Sequence, residues 1–346
     1  MRICLISTLS RPVPPVGEGS VELLVSLLAN GLVERGHDVA LYALPGSNTK
    51  ATLRSPVESS YVTDPDKWDW QLYEAYQVRE AFSAWRDFDI IHCHSYQYGL
   101  LFADTVPIPS VHSVHTEPGP DWKFLARRTV NRHLLFASKY QAREFENVQG
   151  VHVVPDGIDV GLLGVSSDVR PEYLAYMGRF HPDKGPLSAI AVAQRSGLPL
   201  KLAGPANDYF RDAILPLIDG EQIQYVGEIC AAEKGRFLAG AIALLYPVTR
   251  GEPFGLVLPE SLAVGTPVLA FREGAVPEII DDGITGYIGT DENELAAFVP
   301  RAQQLDRQKI QSVAKQRFSA DTMVAATEAL YQQIINAGTA ATGQPA

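Results

Sequence analysis

Short apolar runs alternate along this chain with longer stretches whose apolar residues return at helical spacing. Residues 3–6, 39–42, 89–93, 110–116 (running into a loop), 133–137 and 151–154 are such runs, and 173–177, 200–205 (a strand and turn), 224–229, 241–246 and 268–271 repeat the pattern. Runs this continuous, without polar alternation, predict strands buried on both faces, as in parallel sheets. Between the first two runs Val21, Leu24, Val25, Leu28 and Leu32 keep one helical face, and Gly36 ends it. Residues 69–86, 291–304 and 320–337 also read as helices, 45–68 as a loop region, and 338–346 as a fraying tail. The result is two βα series, 1–160 and 170–318, each a parallel sheet with helices on both faces. Ligands of such sheets bind at the carboxyl ends of the strands, here in the cleft between the two halves.

One stretch carries most of the chemistry. The apolar run 241–246 leads into Arg250-Gly251-Glu252-Pro253-Phe254-Gly255-Leu256-Val257-Leu258-Pro259-Glu260. A helix starting near Gly255 or Leu256 puts Pro259 in its first turn, where a missing N–H costs nothing, and Gly265 and Pro267 stop it. A helix N-terminus at the end of a strand suits a phosphate. Glu252 and Glu260 beside an anion site are better placed to accept hydrogen bonds from neutral hydroxyls, as on sugars. Together these describe a nucleotide-sugar site; the plainer alternative is a connecting loop with two solvated glutamates. In the other βα loop, Gly178-Arg179-Phe180-His181-Pro182-Asp183-Lys184-Gly185, one arginine and one lysine five apart can neutralise a diphosphate.

Composition narrows the class. With 346 residues, 46% hydrophobic and 20% charged, the chain suits two globular domains. A net charge of -11 makes nucleic acid an unsuitable partner. Three scattered cysteines, Cys4, Cys93 and Cys230, read as reduced and structural. No apolar run reaches the ~18 residues of a membrane span, so a cytoplasmic enzyme is expected. His92 and His94, two apart in a strand, share one face and read as polar residues at a strand end, with a metal pair as the alternative. The basic stretch from Lys123 to Arg132 reads as a solvated helix face; the alternatives are an anionic acceptor or anionic lipid at the inner face of a membrane.

Glu252 and Glu260, with seven residues between, match the E-x7-E motif of retaining GT-B glycosyltransferases. The surrounding residues, Gly265-Thr266-Pro267-Val268 and Gly274-Ala275-Val276-Pro277-Glu278-Ile279-Ile280 resemble glycosyltransferase family 4. The resemblance implies two Rossmann-like, doubly wound α/β domains facing across a deep cleft. Residues 1–163 would form the acceptor side and 164–319 the donor side, with the helix at about 320–337 packing back on the first. It implies a hexosyl transfer with retention from a nucleotide diphosphate sugar, a UDP-sugar before a GDP- or ADP-sugar, to a small-molecule or glycan acceptor. Neither metal nor cofactor is required; the nucleotide sugar is a co-substrate. Arg179 and Lys184 would take the diphosphate with the amides of Gly255, Leu256 and Val257, beside Phe254. Glu252 would hold sugar hydroxyls with His115 nearby, and Glu260 the ribose. His112 is the competing histidine, on the opposite strand face.

In this family the loop Gly17-Glu18-Gly19 lines the acceptor side and approaches the donor phosphate, although relatives carry a Gly-Gly pair there. Gly274 and Ala275 would allow close backbone approach at the sugar pocket. The loop after the strand at 224–229 would cover the base, and Asp156 stands where Asn is commoner at the interdomain turn. Asp64-Pro65-Asp66 fits the metal-holding Asp-x-Asp pattern of another glycosyltransferase class, but no strand precedes it, so it reads as a turn. Two rivals share the architecture: a sugar-nucleotide epimerase or glycan phosphorylase, and a non-catalytic nucleotide-sugar-binding partner.

Overall fold

The computed structural model describes residues 1–17, 19–164 and 169–342, the side chains of 339–342 excepted. Its strands are β1 (Arg2–Ile6), β2 (Asp38–Tyr42), β3 (Thr52–Arg54), β4 (Ile90–Cys93), β5 (Ser110–Val114), β6 (His133–Phe136) and β7 (Val151–Val153). They continue with β8 (Tyr173–Met177), β9 (Leu200–Ala203), β10 (Ile223–Gly227), β11 (Ala241–Tyr246), β12 (Val268–Phe271) and β13 (Gly286–Gly289). The helices are α1 (Ser20–Glu34), α2 (Trp70–Ser83), α3 (Pro120–Ala126), α4 (Lys139–Ala142), α5 (Pro186–Ser196) and α6 (Ala231–Ala239). After them come α7 (Val257–Ala263), α8 (Val276–Ile279), α9 (Glu292–Ala302), α10 (Arg307–Phe318) and α11 (Ala320–Thr342).

The chain forms two compact units. Met1–Gly157 and Ala320–Ala346 make the first, and Ile158–Ser319 the second. In the first, seven strands lie in the order β3-β2-β1-β4-β5-β6-β7, every neighbouring pair parallel. Cys4, Ile6, Ile91 and Cys93 point to one face, where Val78 and Phe82 of α2 bury them. Tyr331 of α11, fully buried, reaches His92 on the other. Next to α1, Arg35 pairs with Asp321 and Glu328, and His37 with Glu328, which ties α11 to the strand-1 side of this unit.

In the second unit six strands lie in the order β10-β9-β8-β11-β12-β13, again all parallel. Renumbered from its own first strand, this is the same order as the first six strands of the other sheet, the Rossmann order. Leu174, Phe180, Leu200, Leu202, Leu245, Leu269 and Leu295 fill its core. Each such side chain contributes roughly 2 kcal/mol by leaving water.

Several expectations are corrected. The region 45–68 holds a short edge strand, β3, whose three residues are too few to show a period. Pro277 to Ile279 lie in the one-turn helix α8. A helix, α10, occupies 307–318; Asp306 caps it through the amides of Gln308 and Lys309. The terminal helix runs to Thr342, beyond the expected start of fraying, while 343–346 lie outside the described residues. Cys4 and Cys93 are buried thiols, but Cys230 is exposed at the start of α6. Among the described residues no helix is long and apolar enough to cross a membrane.

Candidate active site

In the second unit the loops after β8 and β11 hold the predicted cations and carboxylates. Lys184 donates its ammonium to the Glu252 carboxylate. The buried Tyr246 hydroxyl at the end of β11 also donates to Glu252, and burial and that carboxylate together push its pKa well above the usual phenol value. Arg179 is exposed, and its guanidinium meets no carboxylate among the described residues. The two carboxylates are thus not the bare acceptors expected. Glu252 already has a lysine and a tyrosine, and Glu260 has a lysine of its own. Lys234 of α6 donates to Glu260 Oε1 at 2.7 Å, in a pair whose carboxylate is 9% exposed. Burial pushes the Glu260 pKa up, and Lys234 opposes the rise.

The turn between β11 and α7 depends on two glycines. Gly255 has φ 85°, and a Cβ there would stand 2.5 Å from the Tyr246 hydroxyl oxygen. Gly274 has φ 57°, and a Cβ would meet the Glu252 amide nitrogen at 2.4 Å. The loop before α8 therefore lies directly on Glu252, and Ala275 N–H donates to the Glu252 carbonyl at 3.1 Å. Leu256 and Val257 are half-buried at the start of α7, where first-turn amides lack carbonyls four residues back. Phe254 faces inward: its ring is buried, edge-on to Phe318, so only its backbone is left for a ligand.

The first unit gathers three histidines at the carboxyl ends of β4 and β5. His94 Nδ1 lies 3.0 Å from His115 Nε2, with the rings stacked. His92 packs on His94 at 4.1 Å between ring centroids, and its nitrogens meet Tyr331 and Ser113. His94 Nε2 is buried without a partner. A buried N–H without an acceptor is rarer than an acceptor without a donor, so the proton belongs on His94 Nδ1 and is donated to His115 Nε2. His115 then carries its proton on Nδ1. Burial lowers the His115 pKa to about 4 and that of His94 well below its ordinary value, so both rings are neutral at pH 7. His112 points to the other face, with Nε2 at 2.9 Å from the Ser110 hydroxyl oxygen. His92 and His94, expected at a strand end, are fully and nearly fully buried.

Gly17 and Gly19 lie in the loop before α1, Gly19 as the cap residue beside Glu22; Glu18 lies outside the described residues. Asp64 is taken up by Lys67, the Ser59 hydroxyl and the Asp66 amide. In the basic stretch Lys123 pairs with Glu144, Arg128 lies over the Phe124 ring at 3.9 Å, and Arg132 donates to the Thr129 carbonyl. Trp122 is buried under it, so the segment is only partly the solvated helix face expected.

Sequence reasoning missed Lys234. A signal existed: it stands three and four residues before Phe237 and Leu238, which are buried, so a lysine occupies the apolar stripe of α6.

Two units with the Rossmann strand order, and cations beside carboxylates at the carboxyl ends of the second sheet, define an α/β enzyme of the GT-B type. The profile of the family described as Glycosyl transferases group 1 matches residues 165–312, and that of Glycosyltransferase Family 4 matches 21–162. D-inositol 3-phosphate glycosyltransferase of Mycobacterium marinum is 25% identical over 363 residues, which cover 86% of this chain and 77% of that protein. Among solved structures, sucrose-phosphate synthase from Thermosynechococcus elongatus superposes with a TM-score of 0.77 at 19% identity, covering 97% of this chain and 100% of that one. Anabaena Alr3699/HepE in complex with UDP gives 0.73 at 18% identity, covering 96% and 100%. The chain belongs to the GT-B glycosyltransferases and is a transferase enzyme.

Proposed function

We propose that the protein transfers a hexosyl unit from a nucleotide diphosphate sugar, a UDP-sugar by preference, to a hydroxyl acceptor, with retention and without a metal. The observation that carries this reading is the meeting of Lys184 with Glu252, from the loops after β8 and β11. Arg179 and Lys184 supply the positive charge that a departing diphosphate requires as the C–O bond breaks. The amides of Gly255, Leu256 and Val257 add donors. Glu252, held by Lys184 and Tyr246, suits a carboxylate that orients sugar hydroxyls rather than one that attacks carbon. Glu260 takes the ribose hydroxyls. His115, neutral and with its proton on Nδ1, serves as a hydrogen-bond partner of the donor sugar.

The UDP held by HepE, a protein of the same fold, supports the choice of base. No described side chain is set up as a covalent nucleophile. The proposed route is front-face attack through an oxocarbenium-like state, with the leaving phosphate accepting the proton of the acceptor hydroxyl. The test is incubation of UDP-glucose and related donors with and without candidate acceptors. Transfer that keeps the anomeric configuration, read by proton NMR, and is unchanged by EDTA supports the proposal. Inversion, loss of activity in EDTA, or epimerised donor without transfer contradicts it.

A further inference from the structure

We propose that Lys234 is a positioning residue of the donor site, fixing the Glu260 carboxylate so that its second oxygen is left to accept from a vicinal diol. Lys234 Nζ stands 2.7 Å from Glu260 Oε1, and Oε2 has no partner among the described residues. The pair joins α6 to the first turn of α7 across the interior of the second unit, the carboxylate 9% and the lysine 23% exposed. A carboxylate so buried has few rotamers and is poorly solvated, which disfavours its ionised form unless a cation is paired with it. Among the described residues no other cation is paired with it: on α6 itself Glu233 and Arg236 are exposed. From α10, Arg307 gives its guanidinium to the carbonyls of Ala239 and Ala241 and to Thr266; Arg317 pairs with Asp281; Lys309 and Lys315 are exposed. From β11, Tyr246 is turned to Glu252, and neither β12 nor the rest of α7 carries a titratable group. Lys234 alone therefore decides whether Glu260 meets a ligand as an anion.

This rests on the reading of Glu260 as the ribose-binding residue. Nucleotide affinity is measured calorimetrically at about pH 6, 7 and 8.5 on wild type, Lys234→Met, Lys234→Arg, Glu260→Ala and the Lys234→Met/Glu260→Ala double variant. The probe is whichever of UDP, GDP and ADP stabilises the wild type. Lys234→Met is expected to weaken binding about tenfold at neutral pH. The deficit, taken as the ratio of variant to wild type at each pH so that titration of the nucleotide's own terminal phosphate cancels, grows at lower pH, where the unpaired Glu260 takes up a proton, and shrinks at higher pH. Lys234→Arg stays near wild type, and in the Glu260→Ala background Lys234→Met adds about twofold or less. Should Lys234→Met be unfolded, Lys234→Gln takes its place with the same expected pattern.

Wild-type affinity in Lys234→Met at every pH overturns the proposal. So does a loss that is pH-independent and equally large with and without Glu260. Unchanged nucleotide binding in Glu260→Ala, or no nucleotide binding to wild type, overturns the underlying reading instead.

Discussion

Lys184, from the loop after β8, donates its ammonium to Glu252, from the loop after β11. The cation assigned to the diphosphate and the carboxylate assigned to the sugar thus compensate each other at one point. An incoming phosphate must share the ammonium with Glu252. If Lys184 is removed, Glu252 remains as an uncompensated negative charge beside the phosphates. Lys184→Ala should therefore lower kcat/KM by roughly a hundredfold. Adding Glu252→Gln should cost less than the product of the two single losses, because the repulsion disappears with the charge. Steady-state kinetics of the three variants check this; strictly multiplicative losses would show that the two side chains act separately.

Gly274 lies against the Glu252 backbone in a conformation that side chains rarely adopt. Gly274→Ala should destabilise the second unit by about 1–3 kcal/mol through strain and contact with the Glu252 amide. It should also lower kcat/KM, since relief of that contact moves the Glu252 loop. Urea denaturation and kinetics on the same preparation measure both; an unchanged midpoint and unchanged rate would show that the loop tolerates a Cβ.

His94 orients His115 by donating from Nδ1. With the His115 pKa lowered to about 4, the kcat/KM profile should show no inflection from this residue between pH 5.5 and 8. His115→Ala should lower kcat about tenfold or more. His94→Asn should lower kcat by a smaller factor and leave KM for the donor near wild type. An inflection near pH 6.5 that vanishes in His115→Ala would show instead that the ring titrates during turnover.

His92, His94, His112 and His115 all lie in the first unit, and burial depresses the pKa of each, to about 3 for His112 and about 4 for His115. The unfolded chain binds these protons below about pH 6.5 while the folded unit does not, so stability falls as pH drops below that value. Each proton contributes a slope of roughly 1.4 kcal/mol per pH unit. Glu74 acts in the opposite direction: burial raises its pKa to about 7, so between about pH 4.5 and 7 the folded state holds a proton that the unfolded state releases. The expected result is a net fall on acidification, with a shallower slope in His112→Asn and a steeper one in Glu74→Gln. Urea midpoints of the first unit's transition from pH 7 to 5 test this.

Both parallel sheets were legible because buried strands announce themselves as unbroken apolar runs, and βα alternation then restricts the sheet to parallel pairing. Arg179, Lys184, Glu252 and Glu260 stood out because charged residues beside Gly and Pro at strand ends have few structural reasons to be there. The edge strand at Thr52–Arg54 was not legible, since it is short and only half-buried. The ion pairs were not legible either. Sequence spacing places Lys184 and Glu252 in loops of the same sheet, but nothing in it says that the two side chains meet. Lys234 was missed because a lysine in a short helix normally faces water, and its place three and four residues before the apolar Phe237 and Leu238 was the one signal that it turns partly inward.

The central claim is that Arg179, Lys184, Glu252 and Glu260 bind one nucleotide diphosphate sugar. The most direct measurement is thermal unfolding of wild type and an Arg179→Ala/Lys184→Ala variant against UDP-, GDP- and ADP-sugars. Binding raises the unfolding temperature with the logarithm of ligand excess over Kd. The account predicts a rise for wild type with a UDP-sugar, and a rise reduced or abolished in the double variant. No rise with any of the three, or an equal rise in the variant, would contradict it.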